Sequence, residues 1–529
     1  MSLLRSTAQV GLFTLASRVL GLVRDVLMAR FLGAGGVNDA LVTAMKLPNL
    51  FRRMFAEGAF NAAFVPLYAR ELEERGEASA RRFAGEALAA LALLTALIVA
   101  AFEITMPVSL NMVGFGLDRG GADAPYALAV TYARLTMPYL LFMSVAALAS
   151  GMLNTHGRFV AAAAAPVLLN VVLIAILLAS PRLGWRVEDL ALWVSAGMSV
   201  SGVLQVGLLL LALRRAGLGL RLPRPRLTPR VRRLAVLGFP GLVAAGITQI
   251  NVTVSHSIAT LQDSAASWLY YADRLYQLPL GLIGIALGIA MLPALSRALR
   301  GGRPGEANWT QNRGVEFALL LTLPASVALF TLPEFLVGGL FERGRFGAED
   351  TASAARALRA FSVGLPAFVG LKVLTPAFFA REDTRTPMLW AGVSAVVNLA
   401  LGAALFFGAP APFGGFVGLA LATSVAAWIN LAGLAAMLRR RGHAQPDARL
   451  SERVPRILLA SLGMGVALWL ARPWARTLLN GGIASDYLWL VAVSGAGLGL
   501  YAALALLLRA VKLSELRAQL APRKAAPSQ

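Results

Sequence analysis

The feature that most constrains this chain is a series of long apolar runs, each bounded by charged residues, proline or glycine. The clearest occupy residues 87–102, 160–179, 190–213, 315–332, 388–407, 416–438, 457–471 and 488–508. A bilayer core about 30 Å thick is crossed by about 20 apolar helical residues, and lipid offers no partner for an open backbone. With 57% hydrophobic and only 14% charged residues in 529, the chain is far from ordinary soluble domains. These runs therefore predict membrane-spanning α-helices.

Six further segments are apolar but interrupted by charge, as expected of helices that line a polar interior. They occupy residues 8–32, 37–69, 126–153, 231–260, 266–299 and 352–380. Together with the clear runs they predict an all-α, polytopic membrane protein with about fourteen transmembrane helices.

Arginine alternates from loop to loop in a way that predicts orientation. One set of loops is basic: 70–82, 214–233 with eight arginines, 297–313, 439–456 and 509–524. The other set is small or mixed in charge: 33–38, 118–123, 260–267 and 408–415. Because short cytoplasmic loops retain Lys and Arg, both termini are expected in the cytoplasm, with the chain in the inner membrane. The formal net charge of +22 lies in these loops, so nucleic acid is not an expected partner.

A weak internal repeat suggests two related halves, as in many transporters. In the first copy, a Leu-Pro step within residues 46–48 is followed, within residues 65–70, by a proline that lies one helical turn before an arginine. The second copy has the same pattern within residues 277–279 and 292–297. We therefore predict an N-lobe at 1–215, a basic cytoplasmic linker at 216–229, and a C-lobe at 230–441. Two extra helices at 442–510 and a cytoplasmic tail at 511–529 would follow. The first segment carries several charges and is expected to be a retained helix rather than a cleaved signal peptide.

Charges inside the membrane segments carry the functional information, because each costs roughly 2.5–3.5 kcal/mol to insert. They lie in segments 1 and 2 and in later helices: Arg18, Arg24, Asp25, Asp39, Lys46, Arg52, Arg53, Glu57, Arg134, Asp273, Arg274 and Lys372. Asp39, Lys46 and Arg53 follow at intervals of seven, which predicts one polar stripe. Any one of these residues could instead reach an interface or form an ion pair that only fixes helix packing. As a group, the excess of arginine predicts a cationic cavity for an anionic, phosphate-bearing ligand.

Other classes of site find little support in the residues. The chain has no cysteine and three histidines, which argues against thiolate chemistry and a histidine metal site. No glycine-rich phosphate loop with Lys and Ser/Thr appears, so neither ATP nor another cofactor is expected. A membrane enzyme would need clustered acids or a histidine nucleophile, and the nearest candidate, Arg381-Glu382-Asp383, is interpreted as an ordinary cytoplasmic turn. We expect a transporter, not an enzyme.

The run NLFRRMFAEGAF at 49–60, followed by AFVP at 63–66, closely resembles the signature of the MurJ (MviN) lipid II flippase family of bacterial peptidoglycan synthesis. Residues 17–21 with Arg24-Asp25, residues 270–275, and residues 372–374 with 386–387 resemble it too. The similarity runs from the first to the last predicted segment. It implies the fold of the multidrug/oligosaccharidyl-lipid/polysaccharide (MOP) exporter superfamily, with two six-helix lobes and two C-terminal helices.

The resemblance also implies roles for individual residues. The diphosphate would lie in a cationic cavity built from Arg18, Arg24, Arg52, Arg53 and Arg274. Gating or orienting contacts would come from Asp25, Asp39, Lys46, Glu57, Asp273 and Gln277. The family has a carboxylate three residues after Arg274, and here that position is Gln277, so a carboxylate role there is not expected. The undecaprenyl tail would follow a groove along the last two helices.

The implied function is export of the peptidoglycan precursor lipid II by alternating access, in cell-wall biogenesis and maintenance of cell shape. The expected partners are lipid II, membrane lipids and the cell-wall synthesis machinery, with the chain a monomer. Coupling to membrane potential, Na⁺ or H⁺ stays open, and no metal site is assigned; Asn251, Asn398 and Asn430 are interpreted as helix-packing residues. A flippase for another polyprenyl-diphosphate glycan and a drug/cation antiporter of the same superfamily are the alternatives. The antiporter would need unpaired intramembrane carboxylates, which the arginine excess disfavours.

Overall fold

The computed structural model describes residues 3–54, 59–118, 125–480 and 482–512. Within these ranges the chain is α-helical with two short 3₁₀ turns and no β-strand. It divides into two compact units. The first comprises Met1–Tyr270 with Glu342–Gly347, and the second comprises Tyr271–Phe341 with Ala348–Gln529.

Nine helices belong wholly to the first unit. They are α1 (Leu3–Leu32), α2 (Gly36–Arg52), α3 (Ala59–Ile104), α4 (Met106–Gly114), α5 (Pro125–Thr136), α6 (Tyr139–Thr155), α7 (Phe159–Leu183), α8 (Val187–Arg215) and α9 (Pro229–Ala259). The boundary between the units falls inside the next helix, α10 (Ala265–Arg300).

The remaining helices belong to the second unit. They are α11 (Pro304–Thr331), α12 (Pro333–Phe341), α13 (Ala348–Ser362), α14 (Leu365–Phe379), α15 (Arg385–Gly408), α16 (Phe416–Arg440), α17 (Ala448–Thr477) and α18 (Ile483–Leu507). The division into an N-lobe at 1–215 and a C-lobe at 230–441 stays a prediction.

Ten helical stretches among the described residues are long and apolar enough to cross a membrane. All eight of the clear apolar runs coincide with them to within one residue at the ends, as do the predicted segments 126–153 and 352–380, each of which is two helices in line. Four other predicted segments coincide with helices that carry more charged or polar residues than the clear apolar runs. Segment 8–32 is α1, segment 37–69 covers α2 and the start of α3, segment 231–260 is α9, and segment 266–299 is α10. The chain is therefore a multi-pass, all-helical membrane protein, and the total of about fourteen spans stays a prediction.

Two glycines shape the first unit where the backbone turns. Gly76 interrupts α3 with φ 76° and ψ 174°, a conformation that other residues adopt with strain, so α3 bends between Arg75 and Glu77. Gly33 ends α1 with φ 72°, and an added Cβ would lie 2.8 Å from the Arg345 carbonyl oxygen. The core beside the bend in α3 is aromatic, with Phe64 stacked on Tyr68 and Phe83 at centroid distances of 5.6 and 5.8 Å.

In the second unit, a buried carboxylate joins α11 to α17. Glu316, which is 7% exposed, accepts hydrogen bonds from Arg313, from Arg449 at 3.2 Å and from Arg453 at 2.6 Å. Arg313 also contacts Asp447, and Asp447 caps α17 by accepting from the Leu450 amide at 2.8 Å. The first turn of α17 is thereby fixed against α11.

A second carboxylate holds the other end of α17. Glu334 of α12 accepts hydrogen bonds from Arg472 and from Arg359 of α13, each at 2.9 Å. Arg453 and Arg472 are separated along α17 by about 28 Å at roughly 1.5 Å per residue, close to the thickness of a bilayer core. Two ion pairs about one bilayer-core thickness apart therefore hold α17 within the second unit.

We expect Glu316→Ala to destabilise the protein strongly, because three guanidinium groups lose the carboxylate that they share. Breaking a buried ion pair from one side costs about 3–5 kcal/mol. The matched control is Glu306→Ala on the same helix, whose pair with Arg303 at 2.6 Å is 47% and 60% exposed and contributes little. Thermal unfolding of the full chain in detergent measures both, and equal unfolding temperatures for the two variants would contradict this account.

Candidate functional site

The most developed polar cluster of the first unit surrounds Arg24 on α1. Its Nε and Nη2 donate to Asp25 Oδ1 at 3.1 and 2.7 Å, and its Nη1 donates to Asn170 Oδ1 at 3.0 Å. The side chains of Arg24 and Asp25 are only 12% and 5% exposed. The guanidinium plane is thus fixed by two residues rather than free to rotate.

Three helices supply this Arg24 cluster. Tyr270 at the start of α10 donates its hydroxyl to Asp25 Oδ1 at 2.9 Å. Asn170, on the otherwise apolar helix α7, donates its Nδ2 to the Ser17 carbonyl oxygen of α1 at 2.9 Å. A polar side chain in an apolar helix is stabilised when it bonds across a helix interface, and Asn170 bonds to both the backbone and a charge of α1.

The other predicted arginines of the first unit differ in their surroundings. Arg52 is half-buried and donates its Nε to Asn49 Oδ1 at 3.1 Å, while Arg53 beside it is exposed. Arg18 is half-buried on α1 and makes no hydrogen bond or ion pair to any residue that the structure describes. Among the described residues, the predicted arginines of this unit therefore differ in burial and in hydrogen-bond partners.

The predicted stripe on α2 changes from buried to exposed along the helix. Asp39 is buried, Lys46 is half-buried and Arg53 is exposed. Glu57, a predicted gating residue, lies outside the described residues.

Asp39 is held by the start of α10 rather than by an arginine. Its Oδ1 accepts from the Ser267 amide at 2.8 Å and from the Ser267 hydroxyl at 2.5 Å. Asn38 Nδ2 donates to the same hydroxyl oxygen at 3.0 Å. Asn38, Asp39 and Ser267 are all fully or nearly fully buried, so this contact joins α2 to α10 within the first unit.

In the second unit, α10 carries the remaining predicted residues. Arg274 and Asp273 are half-buried, and Gln277 donates its amide to Asp273 one turn away. The residue that replaces the family's carboxylate is therefore a hydrogen-bond donor to the neighbouring acid. Lys372 of α14 is exposed, and its Cγ would lie 3.5 Å from a Cβ placed at Gly284 of α10.

Sequence reasoning missed Asn170 as part of the site. Its only signal was an amide in the middle of an apolar run, and the same signal at Asn251, Asn398 and Asn430 was interpreted as helix packing. No group of three histidine, aspartate or glutamate side chains in the described ranges is placed to hold a metal ion.

Comparison with known proteins identifies the family. The family model described as "Lipid II flippase MurJ" matches residues 28–487. The "Probable lipid II flippase MurJ" of Rhizobium meliloti (strain 1021) is 44% identical over 521 residues, which cover 98% of this chain and 96% of the relative. That of Vibrio cholerae serotype O1 is 35% identical over 528 residues, with 98% of each chain covered.

Solved structures show the same fold. A structure titled "Lipid II flippase MurJ, inward closed conformation" matches with a TM-score of 0.75 and 24% identity, covering 97% of this chain and 100% of that one. An inward-facing multidrug resistance MATE family transporter of the MOP superfamily matches with a TM-score of 0.66 and 16% identity, covering 80% and 94%. With the family model matched across most of its length, this chain belongs to the lipid II flippase MurJ family.

Proposed function

We propose that this protein moves lipid II, the undecaprenyl-diphosphate-linked peptidoglycan precursor, from the cytoplasmic to the periplasmic leaflet of the inner membrane. The observation that carries the proposal is membership of the lipid II flippase MurJ family over residues 28–487. A family of flippases also makes the protein a transporter rather than an enzyme. The similarity to a MATE transporter concerns the fold alone and is not used to assign a ligand.

In this proposal the arginines bind the diphosphate. Arg24 supports the role because it lies on a predicted membrane helix and its guanidinium is already oriented by Asp25 and Asn170. Arginine stays charged in a low-dielectric site and matches phosphate oxygens with its planar fork. Arg18, Arg52, Arg53 and Arg274 would complete the cationic surface.

The buried acids would act on conformation rather than on the ligand. Asp25 orients Arg24, and the contact of Asp39 with Ser267 is of the kind that can break and reform as helices move. Lys46, Glu57, Asp273 and Gln277 are proposed to take part in the same switching. Alternating access by the two predicted lobes is the mechanism that we propose.

The driving force follows from charge. Moving one elementary charge through 100 mV changes the free energy by about 2.3 kcal/mol, so a cationic cavity carrying an anionic lipid can respond to membrane potential. Na⁺ and H⁺ are the other candidates. No cofactor takes part in this proposal.

The remaining parts of the proposal concern topology and partners. Basic loops support fourteen spans with both termini in the cytoplasm. The exposed apolar side chains Leu459, Leu462 and Val466 of α17 support a groove for the lipid tail along α17 and α18. We propose a monomer that works beside the cell-wall synthesis machinery.

Genetic complementation tests the function. We expect the full chain to prevent lysis in a bacterium depleted of its own lipid II flippase, and Arg24→Lys to fail. Lysine keeps the charge beside Asp25 but has no planar fork to contact Asp25 and Asn170 together. The measurement is survival after depletion, with expression and membrane insertion verified for each variant.

Arg30→Ala is the matched control, because Arg30 is an exposed cation on the same helix. It should rescue like the parent chain. Rescue by Arg24→Lys would show that the planar guanidinium of Arg24 is not needed for ligand binding. Failure of the well-expressed parent chain would contradict the lipid II proposal and favour another polyprenyl-diphosphate glycan as the ligand.

We expect Asn170→Ala to slow lipid II translocation about tenfold or more, since Arg24 loses one of its two orienting partners and a charged hydrogen bond is removed. Transport is measured in vesicles containing the purified full chain. Gln205→Ala is the control, because Gln205 is a buried amide on α8 and no described residue accepts from its Nε2. If both variants transport at the parent rate, Asn170 does not position Arg24 for function.

A further inference from the structure

A cavity lies in the first unit, away from the Arg24 cluster. It has a volume of about 480 Å³ and is lined by α3 on both sides of the bend at Gly76 and by the first turns of α9. We name it the α3–α9 cleft. None of the predicted site residues lines it.

Five arginines and three glutamates line the cleft, which gives it a net charge of +2. Each glutamate already has a partner. Glu74 pairs with Arg70 at 2.6 Å, Glu71 pairs with Arg75 at 3.2 Å, and Glu86 accepts from the Thr228 hydroxyl at 2.9 Å. The acids of the cleft therefore leave part of its positive charge uncompensated.

The uncompensated charge belongs to Arg82 of α3 and Arg233 of α9. Both side chains are exposed, and neither forms a hydrogen bond or ion pair with any residue in the described ranges. Arg230 differs from them, because it lies 3.6 Å from Glu71 and donates to Ser79 at 3.3 Å. These contacts hold α9 against α3, while Arg82 and Arg233 remain available to an anion.

A second cavity of about 430 Å³ adjoins the cleft and shares Pro229 and Arg233 with it. Its walls include Leu227, Val236 and Leu237, whose side chains are 84%, 64% and 53% exposed. A polar, cationic cavity is thus adjacent to one whose walls, beside Pro229, Arg232 and Arg233, are apolar. A phospholipid has the same two parts in the same order.

We propose that the α3–α9 cleft binds the phosphate headgroup of an anionic bilayer phospholipid, with Arg82 and Arg233 as its ligands and the apolar cavity receiving an acyl chain. The site is separate from the proposed transport of lipid II and does not depend on it. A basic loop at the end of a membrane helix attracts anionic headgroups, with each arginine strengthening the attraction. The exposed apolar wall favours a lipid over a soluble phosphate, because only a lipid would cover Val236 and Leu237.

Native mass spectrometry of the purified full chain in detergent tests the proposal. Dioleoyl phosphatidylglycerol is the probe and dioleoyl phosphatidylcholine is the neutral comparison. We expect one phosphatidylglycerol to bind preferentially, and Arg82→Gln with Arg233→Gln to weaken that binding roughly 30-fold. Because both side chains are exposed and form no hydrogen bond or ion pair with described residues, this double variant should fold, and Arg82→Lys with Arg233→Lys should retain binding.

The matched control is Arg224→Gln with Arg226→Gln, which removes the same charge from exposed positions of the neighbouring linker that do not line the cleft. It should bind phosphatidylglycerol within about threefold of the parent chain. Equal loss in both double variants would overturn the proposal in favour of diffuse attraction. Equal binding of the two lipids would overturn it, and so would displacement of phosphatidylglycerol by excess inorganic phosphate. Displacement by lipid II alone would assign the cleft to the transported lipid and overturn the proposal as well.

Discussion

The structure depends on the high free energy of a charge inside a membrane. Each charged residue in a spanning helix must meet an opposite charge, a hydrogen-bond partner or a polar ligand, because hydrocarbon provides none of them. Glu316 and Glu334 meet arginines from neighbouring helices and hold α17 in place. Arg24 meets Asp25 and Asn170 and is thereby oriented. The need to pair a charge in the membrane stabilises the helix packing at Glu316 and Glu334, whereas at Arg24 it orients a side chain that is proposed to bind the ligand.

Whether each arginine reaches a carboxylate within the protein distinguishes these two uses. Around Glu316, Arg313, Arg449 and Arg453 converge on one carboxylate, with Asp447 as a second acceptor for Arg313, so each of the three guanidinium groups reaches an acid within the protein. On α1 and α2 the cations are more numerous than their acids, and Arg18 has no partner among the described residues. An excess of guanidinium in a membrane protein is stable only when water or an anionic ligand faces it.

Much of the fold could be predicted from the sequence, because hydropathy directly reports the length of apolar helix that a bilayer requires. All eight clear runs coincide with membrane-length helices to within one residue at the ends. Helices such as α1 and α10 were recognised by their amphipathic pattern, since their charges lower their hydropathy. The partners of Arg24 and Asp25 could not be predicted, because Asn170 is 146 residues from Arg24 along the chain and Tyr270 is 245 residues from Asp25, and only tertiary packing brings them to α1. The resemblance to the MurJ family indicates which arginines belong to the site, whereas their hydrogen-bond partners are known only from the structure.

The central claim, that fixed intramembrane arginines recognise a lipid diphosphate, is tested most directly by lipid II translocation in vesicles reconstituted with the purified chain. The account predicts translocation well above that of protein-free vesicles and at least a tenfold loss in Arg24→Lys, with the variant still folded and inserted. Unchanged translocation by Arg24→Lys, or translocation by the parent chain no faster than in protein-free vesicles, would contradict it.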